Sequence, residues 1–222
     1  VGEFSYPDIN TFFDICDDRV HSLVIENKTL FCELVQDIYD QIAGYTGKAV
    51  LAEDNQLLHF SQYIDLTTSF IPFEINRKPL INKIFSSLEQ VSKTTEYYDA
   101  TMHFLADTEK YLDELSYAFP CDFRYEKLGI SAIIRAVGLE VQDNSRSIAD
   151  RFLNYIELVR EFDRDKLFIV VNMRNYIENA TMEEFLATVL THKYNLLMLE
   201  STSHPLLINE SRYTVDEDLC EF

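Results

Sequence analysis

Apolar positions along the chain switch between two periods, and the switches mark out strands and helices. VHSLVI, Val20–Ile25, is short, β-branched and almost wholly apolar, the pattern of a buried strand. In the following TLFCELVQDIYDQIAG, residues Leu30, Leu34, Ile38 and Ile42 recur at four-residue steps. That predicts an amphipathic helix, with Gly44 standing where it stops. Residues 57–60 predict a second strand. Beyond Pro72 and Pro79 the period stays helical. Leu80, Ile84, Leu88 and Val91 form one stripe, and Phe104, Tyr111, Leu112 and Leu115 belong to another. Neither stripe suits burial on all sides, so the two helices are expected to pack on each other, the second ending at Pro120. A short helix over 127–137 should stop at Gly138. Another over 147–162 should turn Ile148, Phe152, Tyr155, Ile156 and Val159 inward.

The alternation then changes again. KLFIVV, residues 166–171, is a continuous apolar run, the mark of a strand covered on both faces of a parallel sheet. Thr181 and Glu184 have the spacing of a capping box for the helix TMEEFLATVLTH. NLLMLE, Asn195–Glu200, is a second buried strand, so strand, helix and strand make a βαβ unit. Residues 212–215 supply a last strand at an edge. The fold class expected is α/β: a mainly parallel sheet built from both chain ends, with an α-helical insertion. The boundaries are 1–64 and 146–222 for the sheet domain and 65–145 for the helical one.

Composition supports a folded chain: 47% of 222 residues are hydrophobic and 13% aromatic, too many for disorder. No apolar run approaches the ~20 residues that span a bilayer. The start VGEFSYPDIN lacks the pattern of a secretory signal, so the expected compartment is the cytoplasm. Cys16, Cys32, Cys121 and Cys220 lack zinc spacing and are read as buried free thiols. The net charge of −19 argues against a generally basic nucleic-acid binder. Its distribution qualifies that: residues 1–76 carry 3 basic and 13 acidic side chains, 77–166 carry 13 and 16, and 167–222 carry 3 and 9. Most of the cationic groups lie in the middle segment, where a local basic surface can form.

Candidate chemistry is sparse. GYTGKAV, residues 44–50, has two glycines and a lysine but fails as a phosphate loop. Its glycines are too close together, Ala49 replaces the magnesium-binding hydroxyl, and a helix rather than a strand precedes it. No nucleophile elbow, zinc-protease motif or dinucleotide fingerprint is present. Asn172 and Arg174 follow KLFIVV at its carboxyl end, where a nucleoside triphosphatase would place an acid for magnesium. His204 follows the next strand, in the position where α/β proteins bind ligands. His103 reads as a boundary residue. Asp113, Glu114, Asp122 and Glu126 have the character of hard-metal ligands, with Asp122 and Glu126 meeting at one point if that stretch is helical. The alternative for these acids is a solvated face.

Several of these stretches together resemble the small type II-A CRISPR-associated adaptation protein, the Csn-two family. The likeness runs in order through SLVIENKTLFCELVQDIY, INRKPLINKI with its Asn76, Lys78 and Pro79, IIRAVGLEV, KLFIVVNMRNYI, YNLLMLES and RYTVDEDLCEF. It implies a P-loop NTPase-like scaffold without the motifs and no enzyme activity. It also implies a ring-shaped homotetramer that threads double-stranded DNA, prefers ends and reads no sequence. The implied role is spacer acquisition in antiviral defence, beside the CRISPR integrase pair and the effector nuclease. Calcium is the implied cofactor, held by acids of the helical domain. Asp122 and Glu126 line up best with the family's acid-rich stretch, with Asp113 and Glu114 as further candidates. On this picture the DNA contacts are Arg77, Lys78, Lys83, Arg124, Lys127 and Arg135, the basic residues nearest the two ends of the insertion. The rival readings are an acidic protein–protein scaffold that binds no DNA, and a divergent nucleotide hydrolase using Asn172, Arg174 and His204.

Overall fold

A computed structural model of the chain describes residues 2–15, 17–121, 123–124 and 126–222. It divides into two compact units, residues 1–73 with 144–222, and residues 74–143. In chain order the first unit begins with β1 (Glu3–Ser5), β2 (Phe12–Asp14), β3 (Val20–Ile25), α1 (Lys28–Ile42), β4 (Val50–Glu53), β5 (Gln56–Leu57), α2 (Phe60–Tyr63) and β6 (Ile64–Thr67). The second unit holds α3 (Lys78–Val91), α4 (Tyr98–Ser116) and α5 (Ile130–Ala136). The chain returns to the first unit with α6 (Ile148–Arg160), β7 (Leu167–Val171), a 3-10 turn (Met173–Asn175), α7 (Asn179–Thr191), β8 (Asn195–Glu200) and β9 (Glu210–Val215).

The main sheet has the order β6-β7-β8-β3-β9, and every neighbouring pair in it is parallel. A parallel sheet must be covered on both faces, and the apolar runs of β7 and β8 are the sequence record of that. One face presents Leu23, Ile25, Leu167, Ile169, Leu197 and Leu199 to Leu30, Leu34 and Ile38 of α1. On the other face Phe168 meets Phe152 and Tyr155 of α6, and Phe152 meets Phe185 of α7. The expected α/β class is therefore the observed one. A small antiparallel sheet, order β2-β1-β4-β5, adds Phe4, Phe13 and Leu51 to the first core and was not anticipated.

Other local expectations are corrected. Residues 57–60 do not form a strand: pairing ends at Leu57, Phe60 opens the helical turn α2, and the next strand is β6. That strand belongs to the main sheet, so the helical unit begins at residue 74 rather than 65. Helix α7 starts at Asn179, two residues before the proposed Thr181 cap, because the Asn179 side chain is anchored by the Arg174 guanidinium at 2.9 Å. Helix α4 ends at Ser116, short of Pro120, and residues 117–119 continue in tighter turns bonded to the residue three back. Helix α3 packs chiefly on α5. Cys32, Cys121 and Cys220 are exposed free thiols; Cys16 lies outside the described residues.

The GYTGKAV loop does hold an anion, but it is the protein's own. The backbone N–H groups of Lys48 and Ala49 donate to the Asp37 carboxylate at 2.7 and 2.8 Å, and Gln41 donates to the same group. Gly44 sits at φ +95°, the left-handed stop after α1. A Cβ at Gly47 would lie 2.5 Å from Asp37 Oδ1 and 2.6 Å from Gln41 Cγ. Because Asp37 is fixed by both amides, the loop must yield, and Gly47→Ala is expected to lower stability by about 1–3 kcal/mol in urea titration.

Candidate functional site

In a P-loop scaffold the phosphate cradle lies between the first parallel strand and the helix that follows it. Here that junction is β3 to α1, and it consists of Glu26 and Asn27 alone. The Asn27 carboxamide oxygen accepts the Leu30 N–H at 3.0 Å, and its nitrogen donates to the Glu217 carbonyl at 2.9 Å. The helix amino end is thus closed by its own cap, next to the acidic stretch Asp216, Glu217 and Asp218. No loop long enough to wrap a phosphate remains there.

At the carboxyl end of β7, Asn172 adopts φ +54° and its side-chain oxygen accepts both the N–H and the hydroxyl of Ser201, at 2.8 and 2.9 Å. That ties the end of β7 to the end of β8. The buried Arg174 donates to Glu210 at 2.9 Å, to Asn179 Oδ1 at 2.9 Å and to the Pro205 carbonyl at 2.9 Å. Its backbone N–H donates to Glu200 Oε1 at 3.2 Å. Arg212 grips the other oxygen of Glu210 at 2.7 Å and holds the His204 carbonyl. Two guanidiniums and two carboxylates therefore form one network, with both carboxylates fully buried. Burial pushes the Glu200 carboxyl up to about 7 against the pull of Arg174. Burial, then the charges of Arg174 and Arg212, push His204 down. Asn172, Arg174 and His204 do come together, as a structural lock with Arg174 engaged internally rather than a guanidinium open to a phosphate.

The second unit is built differently. Among its described residues only Ile75 and Leu80 are buried apolar side chains, and α4 buries none. Tyr98, Met102, Phe104, Tyr111, Leu112 and Leu115 of α4 are exposed. At 100° per residue they fall within about half of the helix circumference. Lys78 and Lys83 lie on α3, Arg77 is its N-cap, and Arg135 lies on α5 with its guanidinium 5.2 Å from the Phe85 ring of α3. These four are brought together on one helix pair, whose sequence has Glu89 as its single acid. Arg124 and Lys127 are exposed in the segment joining α4 to α5. Of the acids, Asp122 lies outside the described residues, and Glu126 is exposed outside any helix. Asp113 and Glu114 sit in the last turns of α4, Glu114 4.0 Å from Lys110. Among the described residues no three His, Cys, Asp or Glu side chains are grouped to hold a metal.

The family model described as CRISPR-associated protein (Cas_Csn2) matches residues 41–219. The chain belongs to the Csn2 family. It is similar to the CRISPR-associated protein Csn2 of Streptococcus agalactiae, 22% identical over 201 residues that cover 88% of this chain and 87% of that protein. It is also similar to the CRISPR-associated protein Csn2 of Enterococcus faecalis, 19% identical over 208 residues and 90% of both chains. Csn2 membership gives the chain a role in CRISPR adaptation. Among the described residues no helix is long and apolar enough to cross a membrane.

Within this Csn2 chain, the charged lock at the end of β7 was only half visible in the sequence. Asn172, Arg174 and His204 were singled out, while Glu200, Glu210, Arg212 and Asn179 were not. The available signal was a glutamate closing one apolar strand, NLLMLE, and another opening ESRYTV, positions that become fully buried in a parallel sheet. A buried carboxylate needs a cationic partner, and Arg174 and Arg212 were the arginines nearest in the chain.

Proposed function

We propose that this Csn2-family chain is a non-enzymatic, ring-forming homotetramer that binds double-stranded DNA ends during CRISPR spacer acquisition. The observation that carries the reading is the incomplete core of the second unit. Its described residues bury two apolar side chains, too few to offset their own ordering entropy, so the exposed arc of α4 calls for a partner surface. A second copy supplies one symmetrically. The locally basic α3–α5 pair supports contact with backbone phosphates through Arg77, Lys78, Lys83 and Arg135, with Arg124 and Lys127 from the adjoining segment. Such contact reads no base sequence. Enclosure of the duplex would offset the repulsion expected from the −19 net charge. Calcium is the cofactor proposed, with Asp122 and Glu126, and further Asp113 and Glu114, as its candidate ligands. The integrase pair and effector nuclease are the partners proposed for the acidic exterior.

The test is electrophoretic mobility of a linear duplex against a covalently closed circle of the same sequence, with calcium or with chelator. Binding to the linear form alone, dependent on calcium, is expected. Neutralising ~6 phosphates gives a log–log salt slope near −5, and each of Lys78→Ala, Lys83→Ala and Arg135→Ala should reduce that slope by about 1. Binding to neither DNA at low salt with calcium present would replace this reading with the acidic scaffold.

A further inference from the structure

Two polar atoms near the carboxyl end of β8 are buried without a hydrogen-bond partner. They are Glu200 Oε2 and His204 Nε2, 3.8 Å from each other. The other Glu200 oxygen is occupied by the Arg174 N–H. The connection from Ser201 to Asn209 is pinned at its backbone, because Arg174 and Arg212 hold the carbonyls of His204 and Pro205. Its Leu207 N–H donates to Glu210 at 3.1 Å. The charged groups surrounding the Glu200–His204 pair are Arg174 from the turn after β7 and Glu210 and Arg212 from β9. Helix α7 contributes the neutral Asn179. Strand β3, whose Val24 pairs with Glu200, contributes the neutral Ser22 on that face.

We propose that Glu200 and His204 hold a single proton between them, and that this proton latches the 201–209 connection shut. With one proton present, the carboxyl O–H donates to the neutral imidazole once the two atoms close by about 1 Å. With none, an ionised Glu200 keeps one oxygen buried with no donor. With two, an imidazolium faces the guanidiniums of Arg174 and Arg212. Both extremes favour opening, which gives the side chains water. Desolvation raises the Glu200 carboxyl to about 7, so below that value the closed form retains a proton that the open form releases, and closure weakens as pH rises up to it and levels off above. His204 is held below its ordinary range, so opening takes up a proton at low pH and closure weakens there too.

The test is hydrogen exchange of the full chain from pH 5 to 9, expressed as protection factors for the Ser201 and Leu207 amides. A bell-shaped profile is expected, with protection falling as pH rises towards about 7, by at most about tenfold per pH unit, and level above it, where both forms have released the proton. Glu200→Gln keeps a donor for His204 and cannot ionise, so it should abolish the alkaline limb and retain the acid limb. An unchanged alkaline limb in Glu200→Gln, or a flat profile in the unaltered chain, would overturn the latch. Nitrogen NMR of the unaltered protein gives a second reading that needs no variant. A single neutral tautomer of His204 persisting below pH 6.5 supports the latch, and ordinary titration of a freely exchanging ring refutes it.

Discussion

Arg174→Ala should destabilise the first unit by about 3–5 kcal/mol, the largest loss expected from any single side chain in the charged lock. Three contacts of the guanidinium, to Glu210, Asn179 and the Pro205 carbonyl, vanish together in a site where the side chain is 1% exposed. Glu210 keeps Arg212 on one oxygen and the Leu207 N–H on the other, so its charge is not stranded; the loss comes from a freed helix start and an emptied volume. For a chain of this size the melting midpoint should fall by roughly 10 °C. Arg212→Ala is the comparison: its side chain is 14% exposed and Arg174 still faces Glu210, so about 1–2 kcal/mol is expected. Equal losses for the two would mean that Arg174 is not the centre of the network. Neither substitution touches α3 or α5, so DNA binding by the folded protein should persist in both.

The same site shows how far the sequence could be followed. β3, β7 and β8 were legible because strands covered on both faces are apolar throughout, and α1 and α6 because one stripe of each is buried. β1, β2 and β4 were not, since strands of 3–4 residues are too short for an alternation to register. The start of α7 was misplaced for a different reason: a tertiary contact, Arg174 to Asn179, overrode the local Thr181–Glu184 pattern. Phosphate-loop composition and phosphate-loop position fall at different junctions of the chain. GYTGKAV attracted attention by composition, yet the decisive junction was Glu26–Asn27, where a strand becomes a helix in two residues. At the basic site, Arg77, Lys78, Lys83 and Arg135 could be nominated from their places in the insertion. That they belong to one helix pair required knowing that α3 meets α5.

The exposed arc of α4 leads to the other large effect. If the chain assembles as proposed, Met102→Glu combined with Leu112→Glu should dissociate the ring into single chains. Both residues lie within the exposed arc of α4, 41% and 38% exposed and outside the buried core, and the helical signal of the variant should be unchanged. Each apolar side chain buried at a pairing surface contributes about 1.5–3 kcal/mol, so the pair should weaken association by roughly a hundredfold to ten-thousandfold before charge repulsion is added. Sedimentation velocity reads the outcome directly. Tyr39→Glu, 60% exposed on α1, serves as the control and should leave the assembly intact. Because a ring holds a duplex by enclosing it, the double variant should lose DNA-end binding in step with assembly, although every basic residue of α3 and α5 is still present. Retained assembly would move the pairing surface off α4. Dissociation with undiminished DNA binding would show that single protomers grip the duplex, and enclosure would then no longer be needed to overcome the chain's negative charge.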